Sequence, residues 1–328
     1  MKRLICITGI MTVCFCQSEQ SRTTGIAAFL KRGFSAKWVA MGGASVALVD
    51  DATSVYWNPA GLANDINFQT NFSYVKENIF SGIDFHQFAI SNPFPMIDKL
   101  GIGFGYSDAR VQGIDLFDDQ ANYIGSDNFQ EYIFFGGFAY DISGLKIGLS
   151  QLYYSVNNLG ENKSTEDFPN KNLIVLGLRY YILNNLNIGI VIRNKAELLP
   201  NEFLEPERKI GIGYTRKRRG SEDDLINFGL DINKVEYGVL LATGVEYFPL
   251  RNVAIRTGIA NVKIAGVTND KILDYRQKFT IGIGYAYAFN DKRKIRLSVA
   301  VSQHTYPSIL ESFADPLSSN TIISISIE

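Results

Sequence analysis

Between Lys278 and Phe289 the chain reads KFTIGIGYAYAF, and every second residue is large and apolar. Phe279, Ile281, Ile283, Tyr285, Tyr287 and Phe289 stand opposite Thr280, Gly282, Gly284, Ala286 and Ala288. A period of two is the signature of a strand, because successive side chains point to opposite faces. The same pattern sets Ile66, Phe68, Phe72 and Tyr74 against Asn67, Gln69, Asn71 and Ser73. It recurs where Leu100, Ile102, Phe104 and Tyr106 alternate with Gly101, Gly103, Gly105 and Ser107. A water-soluble sandwich turns its bulky face inward and clothes the other in Lys, Glu and Thr. Here the second face is Gly, Ala, Ser and Asn, which suits a crowded lumen with the bulky face turned to lipid. Only a closed barrel lets strands satisfy every backbone group inside a bilayer.

The alternation marks fourteen strands, at 66–75, 84–91, 100–107, 131–141, 144–154, 173–181, 186–193, 208–217, 225–233, 238–248, 252–261, 278–289, 294–302 and 321–328. Most approach the 9–11 residues, roughly, that a tilted strand needs to cross a membrane. The connections sort by length. Of seven alternate ones, five, at 108–130, 155–172, 194–207, 262–277 and 303–320, are long and two, at 76–83 and 234–237, are short. Those between them, at 92–99, 142–143, 182–185, 218–224, 249–251 and 290–293, never exceed eight residues. Short turns at one rim and long loops at the other are the habit of outer-membrane barrels. Tyr132, Tyr140, Tyr153, Tyr154, Tyr180 and Tyr181 fall near strand ends, where phenols suit the headgroup level. The fold class expected is therefore all-β: a transmembrane antiparallel barrel of about fourteen strands.

The remaining inventory narrows the function. A formal net charge of −1 over 328 residues argues against nucleic acid as a partner. The one basic run, Arg216 to Arg219, is followed at once by Glu222, Asp223 and Asp224 and reads as a solvated turn. Lys2 and Arg3 precede an apolar run from Leu4 to Phe15, the layout of a signal peptide, expected to cover residues 1–17. All three cysteines lie at positions 6, 14 and 16, so the exported chain has no disulfide framework. With His86 and His304 as its two histidines, it has no Cys/His metal site, and no cofactor is implied. Ser302 and Ser308 flank His304 outside any nucleophile motif, so the chain is not expected to be an enzyme.

Ahead of the strands lies MGGASVALVDDATSVYWNPAGLA, residues 41–63, a compact non-strand segment. Asp51 can cap a short helix through Ala52 to Tyr56, and Pro59 and Gly61 can end it and turn the chain. Gly42 and Gly43 permit close approach of backbone to backbone. With Trp38, Met41, Val46, Tyr56, Trp57 and Leu62 it is too apolar to stand in water, and a barrel offers its lumen. The stretch GFSAKWVAMGGASVALVDDATSVYWNPAGLA resembles the N-terminal signature of the PorV/PorQ family of FadL-like outer-membrane proteins. The likeness lies in the MGGA step, the acidic pair and the Trp-Asn-Pro-Ala-Gly-Leu close. It implies a hatch over residues 18–65 inside a barrel over 66–328. The hatch motif would comprise Gly42, Gly43, Asp50, Asp51, Trp57, Asn58, Pro59, Ala60 and Gly61. The final residues, Ile327 and Glu328, depart from the terminal aromatic that many such barrels carry.

The resemblance implies two jobs. FadL-like members are passive outer-membrane channels for hydrophobic small molecules such as long-chain fatty acids. PorV-like members are accessory parts of type IX secretion and surface attachment, with secretion-system proteins as partners. An uncharged, glycine-lined inner face with no Arg/Lys ladder fits an apolar ligand. The same small residues also fit a lumen that must make room for the hatch. Either way the expected place is the outer membrane, with its lipid as a partner.

Overall fold

The computed structural model describes residues 33–63, 70–79, 83–118, 120–158, 171–199, 202–204, 206–221, 223–235, 238–265, 277–290, 293–304 and 320–327. The expected signal peptide lies outside the described residues. Strands β1 (Asn71–Ile79), β2 (Ile83–Pro93), β3 (Leu100–Phe117), β4 (Tyr123–Ile142), β5 (Leu145–Asn158), β6 (Lys171–Leu183) and β7 (Leu186–Arg193) run in chain order. A small separate hairpin follows, β8 (Ala196–Leu199) with β9 (Glu202–Leu204). Then come β10 (Glu207–Lys217), β11 (Asp224–Val235), β12 (Gly238–Leu250), β13 (Val253–Ala265), β14 (Lys278–Asn290), β15 (Arg293–His304) and β16 (Asn320–Ile327).

Every barrel strand pairs antiparallel with its neighbours. β16 returns to β1 through Phe72↔Ile327 to Glu77↔Ile322, closing a barrel of fourteen strands among the described residues. Closure removes the unpaired edges that a bilayer could not tolerate. The alternation falls as the sequence requires. Ile281, Ile283 and Tyr285 are about half exposed on the outside, and Thr280 and Gly284 are buried inside. Phe104, Phe134, Phe138, Ile174, Leu176, Ile210 and Ile212 continue this apolar outer belt around the wall. Among the described residues no helix is long and apolar enough to cross a membrane.

Several strands outrun their expected bounds. Residues 108–130 were expected to be a loop, but β3 and β4 stay paired through Ile114↔Asp127 to Phe117↔Tyr123, and the turn shrinks to Asp118–Asn122. Alternation ends at Tyr106 because the outward face beyond it, with Asp108 and Arg110, is more polar. The backbone ladder needs no such pattern to continue. Likewise β1 pairs with β2 as far as Ile79↔Ile83, although Lys76, Glu77 and Asn78 break the apolar pattern. The expected start of β1 at residues 66–69 lies outside the described residues.

Candidate functional site

Residues 33–63 lie inside the barrel. Helix α1 (Ala36–Ala40) rests against β13, β14, β15 and β16. Helix α2 (Ser54–Trp57) faces β3 and β4, and a 3-10 turn at Pro59–Leu62 lies along β2 to β6. Both helices are too short to stand alone in water, so burial and the wall hold them. Gly42 and Gly43, with φ of 66° and 78°, stop α1 in a left-handed conformation that a side chain would strain. Gly42 N donates to Thr280 Oγ1 at 3.1 Å, and that hydroxyl donates to Ala40 O at 2.9 Å.

The wall reaches in at further points. Gln87 Nε2 donates to Gly33 O at 2.9 Å, and Ala36 N donates to Ser324 Oγ at 3.3 Å. Arg179 Nη1 donates to Val49 O at 2.7 Å. Asp231 Oδ2 accepts from Ser45 N at 2.8 Å and Val46 N at 3.0 Å. These side chains satisfy backbone groups that no helix or sheet serves, which is what a buried irregular segment requires.

The motif residues concentrate on this seating. Asn58 is fully buried, and its amide donates to Val46 O at 2.7 Å and to Leu178 O at 3.2 Å. Its oxygen accepts from Ala60 N at 3.1 Å and so caps the turn that Pro59 begins. Trp57 Nε1 donates to Phe34 O at 2.8 Å. A Cβ on Gly61 would strike Val49 O and Ser54, so this position has no room for a side chain. Asp50 faces Lys37 at 3.9 Å and stays part exposed. Asp51 does not cap the helix directly, as the sequence suggested. The cap position of α2 is Thr53, and Asp51 instead accepts from Thr53 N at 2.8 Å and Trp38 Nε1 at 2.9 Å. It thereby joins α1 to α2.

The inner glycines face this segment. Cβ atoms at Gly101, Gly148, Gly189, Gly229, Gly244 and Gly258 would run into the backbone of Leu62, Pro59, Val46, Ala44, Met41 and Gly42. Several are cross-strand partners: Gly213↔Gly229, Gly229↔Gly244 and Gly244↔Gly258 form one unbroken row, and Gly148↔Gly177 form another pair. Of the two readings of the small inner face, room for the segment is what the packing displays.

The inner face is not uncharged, contrary to the expectation. Lys146, Arg179, Asp231, Glu246 and Arg256 are all buried within it. Near the short-turn end, Arg256 Nε donates to Glu246 Oε1 at 2.7 Å, and Asn227 Nδ2 donates to Glu246 Oε2 at 2.9 Å. Toward the other end an apolar cluster includes Phe34, Tyr56, Trp57, Phe85, Ile133, Phe135 and Leu173. Burial pushes the Tyr56 phenol up, and its ring meets Phe135 edge-on at 5.7 Å. Bordering this cluster, Glu207 lies 3.0 Å from Arg193 and 2.9 Å from Lys209. Charges survive here because they pair with one another or with backbone. Tyr154 is buried in the same cluster, and Tyr181 stacks on Arg179, so neither is a lipid-level anchor.

His86 Nδ1 hydrogen-bonds Tyr74 OH at 3.0 Å on the outer face. Among the described residues no group of three or more His, Cys, Asp or Glu is placed to hold a metal ion.

No protein-family model matches the chain, and no curated protein matches it in sequence. Solved structures do. The Ralstonia pickettii toluene transporter TbuX is similar at a TM-score of 0.57 and 14% identity, over 91% of this chain and 98% of that one. The Pseudomonas putida toluene transporter TodX gives 0.57 and 14% over 90% and 97%. A Pseudomonas aeruginosa FadL homologue gives 0.50 and 10% over 89% and 97%. At these identities the shared property is the fold. A closed fourteen-stranded barrel with an apolar outer belt, this protein spans the outer membrane many times.

Proposed function

We propose that the chain is a passive outer-membrane channel for hydrophobic small molecules, closed by a hatch over residues 18–65 that includes the segment at 33–63. The observation that carries this reading is the division of the lumen. Tyr56 and Trp57 of the hatch form an apolar, aromatic cluster with Phe85 and Phe135 of the wall, and a polar network around Glu246 and Arg256 lies nearer the short turns. An apolar solute arriving from outside would meet favourable surface in that cluster. The toluene transport named for TodX and TbuX supports the same solute class. Asn58, Pro59 and Ala60 would anchor the hatch, with Gly42, Gly43, Asp50, Asp51, Trp57 and Gly61 shaping it.

The hatch sequence, with its PorV/PorQ likeness, supports a second reading. A segment so closely seated over glycines suits a permanently sealed barrel that presents its outer rim to secretion-system proteins. Uptake separates the two. Cells expressing the protein should accumulate radiolabelled toluene or oleate faster than cells without it, and purified protein in detergent should bind one of them saturably. Unchanged uptake together with lost surface attachment of secreted proteins on deletion would favour the second reading and end the first.

A further inference from the structure

We infer that Asp231 is the latch that holds the hatch shut, an inference that rests on the hatch reading above. Ser45 O accepts from Leu48 N at 2.9 Å and Val49 N at 2.8 Å, so a single helical turn begins at Ser45. The first N–H groups of such a turn have no partner within it. Asp231 supplies one from β11, across 186 and 185 residues of chain, accepting from Ser45 N and Val46 N with one carboxylate oxygen. The carboxylate is buried and, among the described residues, makes no ion pair. These two amides are the hydrogen-bond donors it has there.

The rest of the row is shaped around the same contact. Gly189↔Gly211 and Gly211↔Asp231 are cross-strand partners, and Val46 sits over both glycines. Val46 O in turn accepts from Asn58, whose amide also reaches Leu178 O on β6. The latch thus runs from β11 through Val46 and Asn58 to β6. Other polar contacts from the wall reach the segment at Gly33, Ala36, Gly42, Ala47 and Val49. Asp231 adds a buried carboxylate bound to two consecutive amides. Moving the turn away from β11 breaks both bonds at once and strips a buried charge of its donors, so closure is lost as a unit.

The test is single-channel recording in planar bilayers of potassium chloride, with full-length D231A and D231N beside wild type. D231A should raise the open fraction about tenfold or more, equivalent to about 1.4 kcal/mol per factor of ten. D231N keeps an oxygen able to accept the same two N–H groups and should fall between D231A and wild type. All three should show the same heat-induced shift in detergent gels. Equal open fractions in all three, D231N as leaky as D231A, or loss of the gel shift in both variants would overturn the latch. Because potassium chloride is the probe, a protein that transports no hydrophobic solute but shows the D231A change would lose the proposed function and keep the latch.

Discussion

Gly258→Ala adds one methyl group where the inner segment lies hard against the wall. A Cβ at Gly258 would overlap backbone atoms of Met41 and Gly42, and backbone cannot rotate out of the way as a side-chain tip can. Its partner across the ladder is Gly244, whose own Cβ would meet Met41, so the segment cannot shift sideways along that row. Overpacking of this kind costs about 1–3 kcal/mol. The barrel ladders are untouched, so the strain should fall on the closed position of the segment. A bias of about 1–3 kcal/mol changes a two-state population roughly 5–150-fold. Gly136→Ala is the control, because its added Cβ would lie 3.7 Å from Phe104 in ordinary contact. Both tryptophans of the chain, Trp38 and Trp57, are buried in the segment, so intrinsic emission reports its position directly. G258A should shift that emission to the red and raise bilayer conductance while keeping the heat-modifiable gel band. G136A should match wild type in all three. Wild-type emission and conductance in G258A, or equal effects from G136A, would refute the packing argument.

Asn58→Ala removes the amide from Val46 O and Leu178 O, and buried groups left unpaired cost about 1–3 kcal/mol each. Permeability to hydrophobic antibiotics should rise with barrel assembly intact; a mutant that cannot assemble would show the segment to be needed for folding. Glu246→Ala leaves Arg256 buried without its carboxylate, and such losses cost about 3–5 kcal/mol. The gel-shift temperature should fall for E246A and fall less for E246L/R256M, and the reverse order would contradict the pairing. Chymotrypsin on intact cells should cut beside Phe117 and Tyr123, which stand exposed at the β3–β4 turn, and spare Leu145 at the short turn. Cutting at Leu145 alone would invert the topology.

Much of the wall could be read directly because alternation is a local property: each residue's face depends only on its position along its own strand. That period, with the sorted connection lengths, determined a closed barrel, its outward belt and the approximate place of each crossing. The MGGA and Trp-Asn-Pro-Ala-Gly-Leu elements also marked out a separate inner segment before any contact was known. What alternation could not report was where a strand outlives the bilayer, since beyond Tyr106 the ladder continues without an apolar face. It also placed Tyr154 and Tyr181 by their nearness to strand ends, where their parity turns them inward.

The contacts that seat the segment were decided only in three dimensions. The partners of Asp231 and Arg179, the amides of Ser45 and Val46 and the carbonyl of Val49, are 130 or more residues away. Backbone groups carry no identity in a sequence, so a side chain that serves them leaves no complementary residue to find. The inner glycines were visible from the start, but the backbone they accommodate became visible only when the barrel closed around it.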